Sequence, residues 1–170
     1  RMGRPKAWLP FGRETLLARM VRLVGEAASP IVVVAAPGQE LPPLNSRVLI
    51  AHDAVAGRGP LQGILTGLTA LPDGVDVAYV TSTDVPFLAP GWIDRLVVLM
   101  GDFDLALPVE DGYRHPLSAL YRRATVLPAI ADLLRTGDLR LGSLAECVRS
   151  RTISGEQMRD LDLELDTLRN

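Results

Sequence analysis

Lysine is almost absent. Lys6 stands alone beside 17 arginines in 170 residues. A lone lysine either marks a place where a compact ammonium does what a broad planar guanidinium cannot, or it is an accident of composition; its neighbours have to decide. Cysteine is reduced to Cys147, which excludes an internal disulfide. Its helix-like setting, "SLAECVRS", predicts a small buried apolar filler, not a nucleophile. With two histidines and one cysteine, no zinc cluster of the usual spacing exists. The basic surplus needed to track a nucleic-acid backbone is missing too: net charge is −2 and the pI about 5.7. No apolar run reaches the roughly 18 residues that span a bilayer, and no signal peptide is visible. A reducing cytoplasm is expected, with neither membrane nor nucleic acid as partner.

What is present is a globular composition. Hydrophobic residues make up 48% and charged residues 22%, in a length that suits one domain with a substantial core. The stretch 14–28 places Leu16, Leu17, Met20, Val21, Leu23 and Val24 on one helical face, with Thr15 able to cap its start. "PIVVVAA", 30–36, reads as a strand buried on both faces. "RVLIA", 47–51, is a second short strand, ending just before His52 and Asp53. Pro60 opens the helix "PLQGILTGLTAL", and "DVAYVTST" is a strand reaching Asp84. Residues 89–100 form a helix, and "FDLALPV" and "HPLSALYR" are strands flanking the turn "EDGYR". A helix ending near Gly137 follows, with Pro128 inside it, then another over 141–150 and a mixed tail. Strand and helix alternate without repeat or linker. The pattern predicts one three-layer α/β/α domain, Rossmann-like, with a mostly parallel sheet.

Ligands of such sheets bind outside the carboxyl ends of the strands, so the loops there carry the chemistry. Asp84, in "TSTDVP", sits just past a strand end, where a carboxylate can hold Mg²⁺; an aspartate in a turn can equally be a cap. Asp53 occupies the same relative position after another strand, where a plain turn residue is the alternative. Gly57, Gly59 and Gly63 in "GRGPLQGI" let a flat group approach the main chain, or form a flexible loop. Arg58 is either a phosphate contact or simply solvated.

Taken together these pieces resemble a family. "RMGRPKA" looks like the end of the Gly-Gly-x-Ser-x-Arg-Met-Gly-x-x-Lys signature of the MobA-like nucleotidyltransferases. "GPLQGI" resembles the Gly-Pro-Leu-x-Gly segment of its guanylyltransferase branch, "TSTDVPFL" the Asp-x-Pro metal turn, and "RHPLSALYR" the His-Pro segment that follows. The motifs run in the family's order over nearly the whole chain. One departure is Ala35, where some members carry an asparagine.

The resemblance implies transfer of GMP from GTP to the terminal phosphate of molybdopterin, with release of pyrophosphate and with Mg²⁺ as cofactor. It implies Lys6 and Arg1 as catalytic cations. Nucleotide contacts would come from Gly3, Lys6, Asp53, Gly59, Pro60, Leu61, Gly63 and Asp84, and metal contacts from Asp84 and Asn170, with Asp160 and Asp162 as a rival pair. His115 either shapes the acceptor pocket or is structural. The resemblance also implies that residues 1–170 are a single domain supplied without its N-terminal glycine-rich loop and its C-terminal metal-site segment. A monomer is expected, in transient contact with cofactor-biosynthesis or acceptor proteins. The alternatives are a CTP-dependent cytidylyltransferase of the same family and a non-catalytic nucleotide-binding subunit.

Overall fold

The computed structural model describes residues 5–55, 57–160, 162 and 165–168. A 3₁₀ turn at Lys6–Trp8 leads into a tight hairpin, β1 (Pro10–Phe11) and β2 (Glu14–Thr15). Gly12 makes the reversal, at φ +63°, a conformation glycine adopts without a Cβ penalty. Helix α1 (Leu16–Gly25) starts where expected: the Thr15 hydroxyl accepts from the Ala18 amide at 3.2 Å. Strands β3 (Val32–Ala35) and β4 (Leu49–His52) pair in parallel. Helix α2 (Gly59–Ala70), strand β5 (Val77–Thr81) and helix α3 (Trp92–Met100) follow. Next come β6 (Leu105–Glu110), β7 (Tyr113–Arg114) and β8 (Ser118–Arg122). Helices α4 (Arg123–Thr136) and α5 (Leu141–Cys147) and strand β9 (Ser150–Ser154) complete the order. Among the described residues no helix is long and apolar enough to cross a membrane.

The larger sheet has β8 between β5 and β6, with β7 and β9 also on β6. Strands β5, β6 and β9 run one way, and β8 runs against them, so the sheet is mixed. Alternate residues of one strand serve opposite faces. Leu105 and Leu107 of β6, with Ala119 and Tyr121 of β8, pack under α2, α4 and α5. Ala106 and Leu120 face the other way, onto Trp92, Ile93 and Leu96 of α3. That is the expected three-layer α/β/α arrangement. Leu61 and Trp92 are completely buried, and each such side chain contributes about 1.5–3 kcal/mol of transfer free energy.

Two details differ from the sequence expectation. The strand at 30–36 is shorter and not buried on both faces: Val33 and Ala35 are buried, whereas Val32 and Val34 are half-buried. Every residue of β5 is half-buried as well. The cause is a slot between them. Among the described residues β3 has a strand partner only in β4, and β5 only in β8. Their free edges line an apolar cavity of about 350 Å³, with α1 (Leu17, Met20, Val24) and α2 (Ile64, Gly67, Leu68) contributing the other walls. The second difference is Cys147. It is exposed, not a buried filler, because α5 ends there and Ser143 and Leu144 fill its inward face.

Pro128 sits inside α4 without ending it. Its missing N–H removes one helical hydrogen bond, and the helix runs on to Gly137. That residue caps the helix at φ +81°, donating to the carbonyls of Leu133 and Leu134.

Candidate active site

The carboxyl end of β5 turns sharply at residues 82–87, and that turn is held from two sides. From one side, the Arg19 Nε of α1 donates to the Pro86 carbonyl at 2.7 Å. The same guanidinium lies 4.5 Å over the Phe11 ring, which meets Phe87 edge-on at 5.8 Å. From the other side, the Thr167 hydroxyl donates to the Phe87 carbonyl at 3.2 Å and accepts from the Ala89 amide at 2.9 Å. Asp84 therefore projects from a fixed backbone.

Lys6 reaches it. The Lys6 ammonium donates to Asp84 Oδ2, forming an ion pair with the lysine 64% and the aspartate 21% exposed. The pair is open to solvent and to a ligand. Burial pushes the Asp84 carboxyl up, but hydrogen bonds from Lys6 and Ser82 outweigh it and leave the pKa below the ordinary value. Asp84 is thus an anion at neutral pH. Both residues line a cavity of about 510 Å³ with Gln39, Arg114, His115 and Thr167. Burial holds the His115 imidazole below its ordinary pKa, against the raising influence of Glu110, so it is neutral at pH 7.

Asp53 follows β4, as expected. Its amide donates to the Ala35 carbonyl at 2.9 Å, extending the β3–β4 register by one step. Its Oδ1 is buried and has no hydrogen-bond partner among the described residues. A buried acceptor left unpaired costs about 1–3 kcal/mol, and a donor from a ligand would recover it. Gly57 and Gly59 adopt φ values of +79° and +69°, which L side chains rarely take. They shape the entry to α2, whose first turn carries Pro60. A helix start presents free N–H groups and suits an anion.

The structure thus brings Lys6 and Asp84 together, while Pro60 and Gly63 line the neighbouring slot instead. The turn residues Ser82 and Thr83 line both spaces. Leu61 is corrected: it is completely buried in the core and anchors α2, so it offers a ligand no surface. Arg58 donates to the Leu134 carbonyl at 3.1 Å, at the end of α4. Asp160 pairs with Arg95 at 2.6 Å, and both Asp162 oxygens accept amides, from Asp166 and Thr167. Neither aspartate lines the cavity that holds Asp84. Arg1, Gly3 and Asn170 lie outside the described residues. Arg19, Gln39 and Thr167 were not anticipated. Each acts through a partner distant in sequence or through a loop turn, which local pattern does not reveal.

A lysine–aspartate pair thus stands at the carboxyl end of a sheet strand in a three-layer α/β domain. Residues 1–152 match the family described as MobA-like NTP transferase domain, and the chain belongs to it. It is 37% identical over 151 residues to a probable molybdenum cofactor guanylyltransferase of Mycobacterium tuberculosis, covering 86% of this chain and 73% of that protein. A protein of the same description from Mycobacterium avium is 41% identical over 144 residues, covering 82% and 71%. The crystal structure of molybdopterin-guanine dinucleotide biosynthesis protein A from Archaeoglobus fulgidus superposes with a TM-score of 0.79 at 19% identity. It covers 100% of this chain and 85% of that one.

Proposed function

We propose that this protein transfers GMP from GTP to the terminal phosphate of molybdopterin, releasing pyrophosphate. The observation that carries the proposal is the Lys6–Asp84 pair at the open end of β5, in a chain whose curated relatives carry the guanylyltransferase description. In the reaction an acceptor phosphate oxygen attacks the α-phosphorus of GTP, and the bond to the β-phosphate's bridging oxygen breaks. The acceptor phosphate is already ionised near pH 7, so no protein base is needed. Catalysis is then a matter of positioning and of neutralising charge.

Each residue has a part in this. The Lys6 ammonium, exposed and released from Asp84, donates to phosphate oxygens and follows charge onto the leaving pyrophosphate. Gly59 and Pro60 place the start of α2 near the nucleotide, and Gly63 keeps the helix surface open beside them. The unpaired Asp53 oxygen accepts from guanine N–H groups or ribose hydroxyls. Arg1 and Gly3 are proposed as further phosphate contacts.

The donor set suits a divalent cation such as Mg²⁺. Asp84 is a half-buried carboxylate on the cavity wall, and among the described residues no group of three acidic, histidine or cysteine side chains forms a complete cage. Phosphate and water oxygens would complete the shell, as Mg²⁺ prefers. Asp84 would hold the ion, with Asn170 as a second ligand, and the bound ion supplies charge neutralisation to the phosphates.

The test incubates the full-length protein with Mg²⁺, molybdopterin and each of GTP, CTP and ATP in turn. Pyrophosphate and the dinucleotide product are scored. GTP alone should give both in quantity; faster turnover with CTP would move the chain to the cytidylyltransferase reading.

A further inference from the structure

The cavity beside Asp84 contains a second cation that the mechanism leaves unused. Arg114 of β7 lines it together with His115. The backbone beneath them is rigid. Arg114 lies opposite Val109 in the β6–β7 hairpin, the His115 amide donates to the Pro108 carbonyl at 2.9 Å, and the His115 carbonyl accepts from Ser118 at 3.0 Å.

The Arg114 guanidinium has no hydrogen-bond or ion-pair partner among the described residues. Several arginines elsewhere are committed, Arg122 to Asp76, Arg149 to Asp104 and Arg95 to Asp160, but none of these lines the cavity of Lys6 and Asp84, as Arg114 does. The hairpin's own carboxylate, Glu110, is taken by Arg159. An exposed guanidinium left unpaired at a cavity that also holds Lys6 is a site for an anion. Its planar fork matches two phosphate oxygens at once, and the neutral imidazole of His115 can add an N–H without adding charge.

Two phosphate-bearing substrates compete for it. The turn at Ser82 and Thr83 separates two spaces, and the start of α2 opens on the other one, where Pro60 and Gly63 lie. Arg114 is absent from that lining and shares its own cavity with Lys6 and Asp84, the place where the nucleotide's phosphates must be met by the acceptor. That substrate must bring a dianionic phosphate up to an already negative triphosphate, and the repulsion calls for a counter-cation on its own side.

We infer that Arg114, with His115 beside it, binds the phosphate monoester of the acceptor. This deepens the proposed function and rests on it. The test measures steady-state guanylyl transfer by wild type, Arg114→Ala and Arg114→Lys, varying GTP and molybdopterin separately, with inorganic phosphate as a competing anion. Arg114→Ala should raise the acceptor KM by about 10- to 100-fold, the range for one charged hydrogen-bonded contact, and leave the GTP KM within about twofold. Arg114→Lys should recover part of the loss. Inorganic phosphate should compete with the acceptor in wild type and lose potency in Arg114→Ala. An unchanged acceptor KM, or a GTP KM raised equally, overturns the inference while leaving the proposed function standing. Absence of any GMP transfer by the wild type overturns the proposed function itself. In that case Arg114 is read by inorganic phosphate binding alone, and equal binding to wild type and Arg114→Ala rejects the site as well.

Discussion

Lys6 and Asp84 are 78 residues apart in the chain and meet as an ion pair at the carboxyl end of β5. The one lysine in the sequence is thus placed on the one carboxylate of the 82–87 turn. Asp84→Asn keeps the side-chain size and removes its charge; Lys6→Arg keeps charge and replaces a point donor by a broad fork. Each should slow single-turnover pyrophosphate release by about two to three orders of magnitude, as expected for a lost transition-state electrostatic contact. Thermal melts should barely move, because an exposed pair contributes about 0–1 kcal/mol. Wild-type turnover by Lys6→Arg would make the lone lysine an accident of composition.

Asp53 sets function against stability. Its buried Oδ1 lacks a partner in the free protein, so Asp53→Ala should leave the unliganded melting temperature unchanged or raise it. GTP-induced stabilisation, which reaches about 2.7 kcal/mol at 100-fold saturation for one site, should fall in the variant. A GTP shift equal to that of wild type, measured by thermal melts over a GTP titration, would remove Asp53 from the nucleotide site.

Much of this was legible because it is local. The cap at Thr15, the apolar face of α1, Gly137 at the end of α4 and the strand ending before Asp84 are all written in residues a few positions apart. What could not be read depends on distant partners. Strand β9 has a single fully buried residue, Ile153, in an otherwise polar run, and it exists because β6 offers a free edge. Arg19 looks like any solvent-facing helical arginine until Pro86 and Phe11 are placed against it. Family resemblance named Lys6 and Asp84 each as a nucleotide contact, but their pairing was not read, since no spacing rule joins residues so far apart.

Asp104 gives the fold an acid-sensitive joint. It is 4% exposed, and its Oδ2 accepts from the Arg149 side chain at 3.0 Å and from the Arg149 amide at 3.2 Å. The Arg149 hydrogen bond lowers its pKa, and burial opposes the shift only in part. A carboxyl depressed in the folded state stabilises fully above its unfolded pKa, roughly 3.9, and loses that stabilisation as pH falls through the folded value. Asp104→Asn should therefore melt below wild type at pH 7, with the gap closing below about pH 4. Melts from pH 7 to pH 2 check this; a gap independent of pH would assign the loss to packing instead.

Among the described residues β3 and β4 form a two-stranded ladder with no hydrogen-bonded neighbour in the larger sheet. A two-stranded ladder is marginal by itself, and β3–β4 is bound to the rest chiefly through α2, where Gly67 packs close to Val34. Local opening should therefore release β3 and β4 well before β6 and β8. Amide hydrogen exchange at Val33 and Val34 should outpace that at Ala106 and Leu120. An extended segment that hydrogen-bonds to both free edges would weld the ladder to the larger sheet and slow exchange there, so protection of β3 reports whether the slot is filled.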